Sequence, residues 1–109
     1  MDIDLAKAWL DAAAPDWLAA LGPRVEKLAC TGAVVSIAAG PARRGDGELC
    51  GAAIAALTEL AMTLACMGHL KAVAPVTLVT HEIQRLHPLR GDRFVATATV
   101  LKGAGGRLF

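Results

Sequence analysis

Glu59 is a carboxylate inside an otherwise apolar run that extends from Cys50 to Met67. Burying such a group costs free energy unless it meets a partner or carries out chemistry. Thr63 follows four residues later, so on a helix its hydroxyl shares a face with the acid and can orient the carboxylate or a water beside it. An acid with a hydroxyl one turn away is a general-base pattern. Glu59 at a solvated edge, or paired with an Arg from another element, accounts for the residue equally well. The segment Gly47-Glu48-Leu49-Cys50-Gly51-Ala52 leads into the same run. Backbone N–H groups at a helix start lack intrahelical acceptors, and Gly51 removes side-chain obstruction, so a developing oxyanion can be received there. A glycine at a helix start also has a purely structural use. Gly51 and Glu59 stand eight residues apart, a rise of about 12 Å on a helix. One carbonyl cannot touch both. If both act on a single group, the Glu59 that serves a given Gly51 comes from a second copy of the chain, across a two-fold axis.

The elements that must position these residues follow from pattern. Asp2 or Asp4 caps a first helix that runs to about Ala14, and Pro15-Asp16 opens a second, short one that Gly22-Pro23 ends. Residues 24–30 and 33–39 are β-like on either side of a Thr31-Gly32 turn, which predicts a hairpin. Residues 40–47 form a loop by their Gly, Pro and Asp content. The spacing and composition of 51–69 predict the central helix, ended by Gly68. On its wheel Ala53, Leu57, Leu60 and Leu64 share a face suited to a sheet, while Ala52, Ala55, Ala56, Glu59, Met62, Thr63 and Cys66 share the other. Residues 76–86 and 93–101 are rich in Val, Leu and Thr and predict two strands, and Gly103 to Gly106 turn the chain toward Arg107-Leu108-Phe109. The expected class is α+β, with an antiparallel sheet wrapped around one long helix.

A chain of 109 residues holds one domain, because two cores would each be too small. It is 55% hydrophobic with 19% charged residues, which predicts a packed core and excludes disorder. With two Trp, two Phe, no Tyr and a net charge of +1, it has neither the stacking platforms nor the basic stripe of a nucleic-acid binder. Cys30, Cys50 and Cys66 form neither an even disulfide set nor a metal-ligand spacing, so a reducing compartment and no metal are expected. The opening Met1-Asp2-Ile3-Asp4 is acidic where a secretory signal is basic. The cytoplasm is therefore the expected location. The run from Cys50 to Met67 is interrupted by Glu59 and short of the roughly 20 residues a bilayer requires, which favours a buried helix over a membrane span. His81 and His87 lie six residues apart on the expected strand, about 20 Å and too far to share a metal. His69 is placed to meet the helix dipole.

The segment from Gly47 to Glu59, followed by Arg85-Leu86-His87-Pro88 and Gly91-Asp92, resembles the PaaI-like acyl-CoA thioesterases of the hotdog fold. The likeness extends from about Leu21 onward. In that family a loop of pattern N-x-x-G-x-x-H-G-G enters the central helix, an N–H at its Gly polarises the thioester carbonyl, and an Asp or Glu eight residues later is base or nucleophile. Gly47, Gly51 and Glu59 match that spacing, and a Thr four residues after the acid, as at Thr63, occurs in the hydroxybenzoyl-CoA branch, where it holds the attacking water. This sequence departs from the pattern at Cys50 for the His, Arg44 for the Asn and Ala52 for the second Gly. Cys50 is then either a thiolate favoured by the helix start or a small apolar filler. Arg44 is either a contact for a CoA phosphate or a solvated loop residue, and the same two uses apply to Arg85, Arg90 and Arg93. The resemblance implies a single hotdog domain over 1–109, with short helices in 1–22 and the central helix at 51–69. Its function would be hydrolysis of an acyl-CoA to free acid and thiol, without a cofactor, in a homodimer or homotetramer with the site between subunits. A non-catalytic acyl-CoA-binding or structural hotdog module is the alternative. The family's sheet carries a further strand after Gly105-Gly106, of which Arg107, Leu108 and Phe109 would be the beginning.

Overall fold

The computed structural model describes residues 1–38, 40, 48–83 and 91–109. Its first element, helix α1 (Ile3–Ala13), is capped by Asp2, whose carboxylate accepts the Leu5 N–H at 2.8 Å. Ala6 and Leu10, one turn apart, are its buried residues. Pro15 then starts the one-turn helix α2 (Asp16–Ala19), which buries Leu18.

Strands β1 (Arg24–Ala29) and β2 (Gly32–Ala38) form the expected antiparallel hairpin. Their register shifts between Val25 and Lys27, leaving Glu26 as the extra residue of a bulge. Strand β3 (Arg93–Thr99) pairs antiparallel with the other side of β2, giving the order β1-β2-β3. The outer face of this sheet carries a polar cluster with one member from each strand. The buried Ser36 hydroxyl donates to Glu26 Oε1 at 2.7 Å and accepts from Arg93 Nε at 2.9 Å.

Helix α3 (Gly51–Leu70) packs on the inner face of the sheet. Val35 and Ile37 of β2 meet Leu57, Leu60 and Leu64 of α3 in a core that also takes in Val25, Phe94, Ala6 and Leu10. The predicted sheet-facing residues of α3 are all buried. None of the residues predicted for its other face is fully buried, and Ala52 and Glu59 are exposed. The three described strands of the sheet therefore pack against one side of α3. By length and composition α3 could cross a bilayer, yet half of that stretch is buried within the fold.

Three local expectations are corrected. Residues 76–83 form neither helix nor strand, and 84–86 lie outside the described residues. Strand propensity is realised only where a neighbouring strand supplies a ladder. Here no described strand pairs with 76–83, and the contacts of the segment are made by side chains such as Val76, packed at the core margin. Gly68 does not end α3 but is buried within it, and the helix stops at Lys71, which adopts the left-handed conformation at φ 59°. A Cβ at Gly68 would stand 2.5 Å from the Ala29 carbonyl oxygen, so the glycine is there to let the helix approach β1. Finally, the last residues do not begin a further strand of the sheet. Strands β4 (Gly103–Ala104) and β5 (Arg107–Leu108) pair with each other around Gly105 and Gly106, both at positive φ.

Candidate functional site

The outward side of α3 carries the residues singled out by spacing, and the fold gives them separate surroundings. Glu59 and Thr63 face the N-terminal helices, where they line an open cleft of about 250 Å³ together with Ala56, Trp9, Ala13 and Trp17. Buried Leu10, Leu18 and Leu60 form part of its wall. The cleft exists because α1 and α2 lean on the sheet through Ala6, Leu10 and Leu18 and leave a gap beside α3. Glu59 is solvent-exposed and, among the described residues, has no hydrogen-bonding or ion-pair partner. Of the two uses open to it in the sequence, pairing with an Arg is therefore not realised within the described part of the chain. Among the described residues it is the only ionisable side chain lining the cleft.

The helix mouth lies eight residues earlier, about 12 Å along the axis. Cys50 is the N-cap residue in an extended conformation and supplies no side-chain cap, so the first-turn amides at Gly51 and Ala52 keep their donors for another acceptor. Leu49 is buried and anchors the approach to the helix. Within one chain the structure therefore brings Glu59 and Thr63 together and keeps Gly51 apart from them. Arg44 and Gly47, expected to touch substrate, lie outside the described residues, as do Arg85, Arg90 and His87.

Three other expectations are resolved by contacts. Arg93 is held by Ser36 and stands 4.0 Å from Glu26, on the sheet face remote from α3, so it is a structural residue and not a free phosphate contact. His69 in the last turn of α3 lies with Nδ1 2.9 Å from the Cys30 carbonyl oxygen, which requires the proton on Nδ1. It ties the helix end to the β1–β2 turn. His81 Nε2 lies 3.0 Å from the Thr58 hydroxyl, whose own hydrogen is directed at the Ile54 and Ala55 carbonyls at 3.0 and 3.1 Å. The hydroxyl then accepts from Nε2–H, and the pair fastens the 76–83 segment to α3. Burial raises the Cys66 thiol above its ordinary 9.0, which makes it a packing residue and a poor nucleophile.

No family model matches the chain, and no curated protein or solved structure matches it. The chemistry has to be read from the geometry. Among the described residues no group of three or more His, Cys, Asp or Glu is placed to hold a metal ion.

Sequence reasoning missed Trp9 and Trp17. The signal was present: a chain with only two tryptophans places both in its N-terminal helical segment, eight residues apart. That they face the central helix beside Glu59 depends on how α1 and α2 dock, which the spacing within 1–22 does not encode.

Proposed function

We propose that this protein is a hotdog-type acyl thioesterase that hydrolyses acyl-CoA or a related thioester at a site shared between two copies of the chain. The observation that carries this reading is Glu59: a carboxylate with a hydroxyl one turn away at Thr63, and the one charge among the described residues that line a mostly apolar cleft. Such an acid can draw a proton from water, and the surrounding apolar surface can hold an acyl group. Thr63 orients the attacking water. The first-turn amides at Gly51 of a partner copy receive the carbonyl oxygen as it becomes negative. Hydrolysis is then R–CO–S–R′ plus water giving the free acid and the thiol: Glu59 takes the water proton, the C–S bond breaks, and that proton passes to the departing sulfur.

The α+β order of the chain and its antiparallel sheet packed on one long helix support a hotdog arrangement. The exposed Ala52 and the half-buried Ala55 and Ala56 of α3 offer small apolar surface to a second copy. Arg44, Gly47, Cys50 and Ala52 take their substrate-side roles from their positions in the family's loop, where Gly47 alone of the four keeps the family's residue. The presence of Cys50 where that pattern has His favours a second reading, a hotdog module that binds acyl-CoA without cleaving it.

Turnover of a panel of acyl-CoA esters by wild type and Glu59→Ala tests the proposal. The expected result is a loss of 10²-fold or more on removal of the base, in line with roughly 10²–10⁴ for general-base catalysis. Equal rates, or no rate on any ester, would remove the catalytic reading, and binding of CoA esters without turnover would select the module.

A further inference from the structure

The cleft between α1, α2 and α3 gathers three features of one electrical sign. The first is the Glu59 carboxylate of α3, exposed and without a hydrogen-bonding or ion-pair partner among the described residues. The second is the C-terminal end of α1: Ala13 and Ala14 line the cleft, and the last turn of that helix carries no basic residue. Such an end holds carbonyl oxygens that lack intrahelical donors, together with the negative pole of the helix dipole. The third is the pair of tryptophans. Trp9 of α1 is half-buried, Trp17 of α2 is 61% exposed, and both line the same cleft. The face of an aromatic ring is the negative part of its quadrupole, and tryptophan offers a cation the best such face. Helix α2 is a single turn with Asp16 in it, so its start does not reverse the sign.

We propose that this cleft is a binding site for a small, free organic cation of the quaternary ammonium class, held by Trp9, Trp17 and Glu59. The inference goes beyond the hydrolytic reading and uses no part of it. The class follows from what the walls can offer. A hard metal ion surrenders tightly held water only to several oxygen ligands, and indole and alkyl walls return nothing for that loss. A primary ammonium brings three N–H donors that each need an acceptor. A quaternary ammonium has no N–H to satisfy: its methyl groups bury against apolar surface such as Ala56, Leu10 and Leu60, while its charge is met by the indole faces and the carboxylate. The cleft volume of about 250 Å³ lies below the roughly 300 Å³ at which pockets begin to enclose drug-sized molecules, which fits an ion of this size.

Because the chain has no other tryptophan, its intrinsic emission reports on this cleft alone. Wild type, Glu59→Gln and Trp17→Leu, both changes at exposed positions, are titrated with choline chloride and with dimethylbutanol, the uncharged isostere in which carbon replaces the nitrogen. Sodium chloride holds the ionic strength constant, calorimetry gives the affinities, and circular dichroism checks the fold of each variant. The expected result is a saturable emission change with choline in wild type, with the alcohol bound roughly tenfold more weakly, as a screened carboxylate contact added to an exposed cation–π contact implies. Glu59→Gln should weaken choline roughly fivefold and leave the alcohol unchanged, and Trp17→Leu should weaken choline more than the alcohol. Equal binding of choline and alcohol by wild type, a choline affinity unchanged in Glu59→Gln, or a response to phosphatidylcholine vesicles without one to free choline would each overturn the proposal. Choline binding without thioester turnover supports the cation site while removing the hydrolytic reading. Turnover that depends on Glu59 with no choline response removes the cation site alone.

Discussion

Replacing Gly68 by Ala sets the helix propensity of alanine against the close approach of α3 to β1. At an unobstructed position inside a helix, alanine in place of glycine would stabilise the protein by about 1 kcal/mol. In the folded chain Gly68 is buried inside α3, and a Cβ there would lie 2.5 Å from the Ala29 carbonyl oxygen and 3.1 Å from Leu28 Cδ1. The first contact is 0.5 Å inside the 3.0 Å that real Cβ atoms respect, and it is made to backbone, which cannot rotate away. Overpacking of this kind costs about 1–3 kcal/mol, and the propensity gain offsets about 1 kcal/mol of it. The expected net effect is a loss of about 1 kcal/mol, or about 5 °C in Tm for a domain of this size. Leu28→Ala in the same background should restore little, because the carbonyl contact remains. Urea denaturation and calorimetry measure both variants. A Tm for Gly68→Ala at or above wild type would refute the close approach of α3 to β1.

The other expectations are simpler to state. Leu64→Ala empties a fully buried position under β2 and should cost about 2–5 kcal/mol by denaturant unfolding. Ser36→Ala removes both hydrogen bonds of the three-strand cluster and should cost about 1–2 kcal/mol, with the pairing of Glu26 and Arg93 unable to replace them at 4.0 Å. Thr58→Val breaks the link to His81 and should raise protease cleavage within 76–83 while leaving the amides of β1–β3 protected from exchange. The raised Cys66 pKa means that the native state holds the thiol proton more tightly than the unfolded state. Its contribution to stability is complete below pH 9.0 and is lost as pH climbs through the higher folded value. Alkylation at pH 8 should accordingly label the exposed Cys30 before Cys66, as read by mass spectrometry.

Much of this fold is legible in the linear pattern because its causes are local. Asp2 or Asp4 ahead of a helical run marks α1, with Asp2 the cap in the fold, the turn between two β-like runs marks the β1–β2 hairpin, and the composition of 51–69 marks α3, which extends one residue further. The two faces of α3 were likewise set by spacing alone, and so was the placement of Glu59 and Thr63 on its outward side. Other features required the packed chain. Residues 76–83 have strand-like composition, but a strand exists only through a partner's hydrogen bonds, and composition says nothing about whether one is adjacent. Gly68 has the same chemistry as a terminator or as a packing notch, and only the proximity of the Ala29 carbonyl distinguishes them. The Trp9 and Trp17 walls of the cleft arise from the docking of two short helices against a third, a contact between residues some forty to fifty positions apart in the chain. Local sequence determines which backbone each segment prefers and which side chains point the same way; what those side chains meet is decided when non-local apolar surfaces come together.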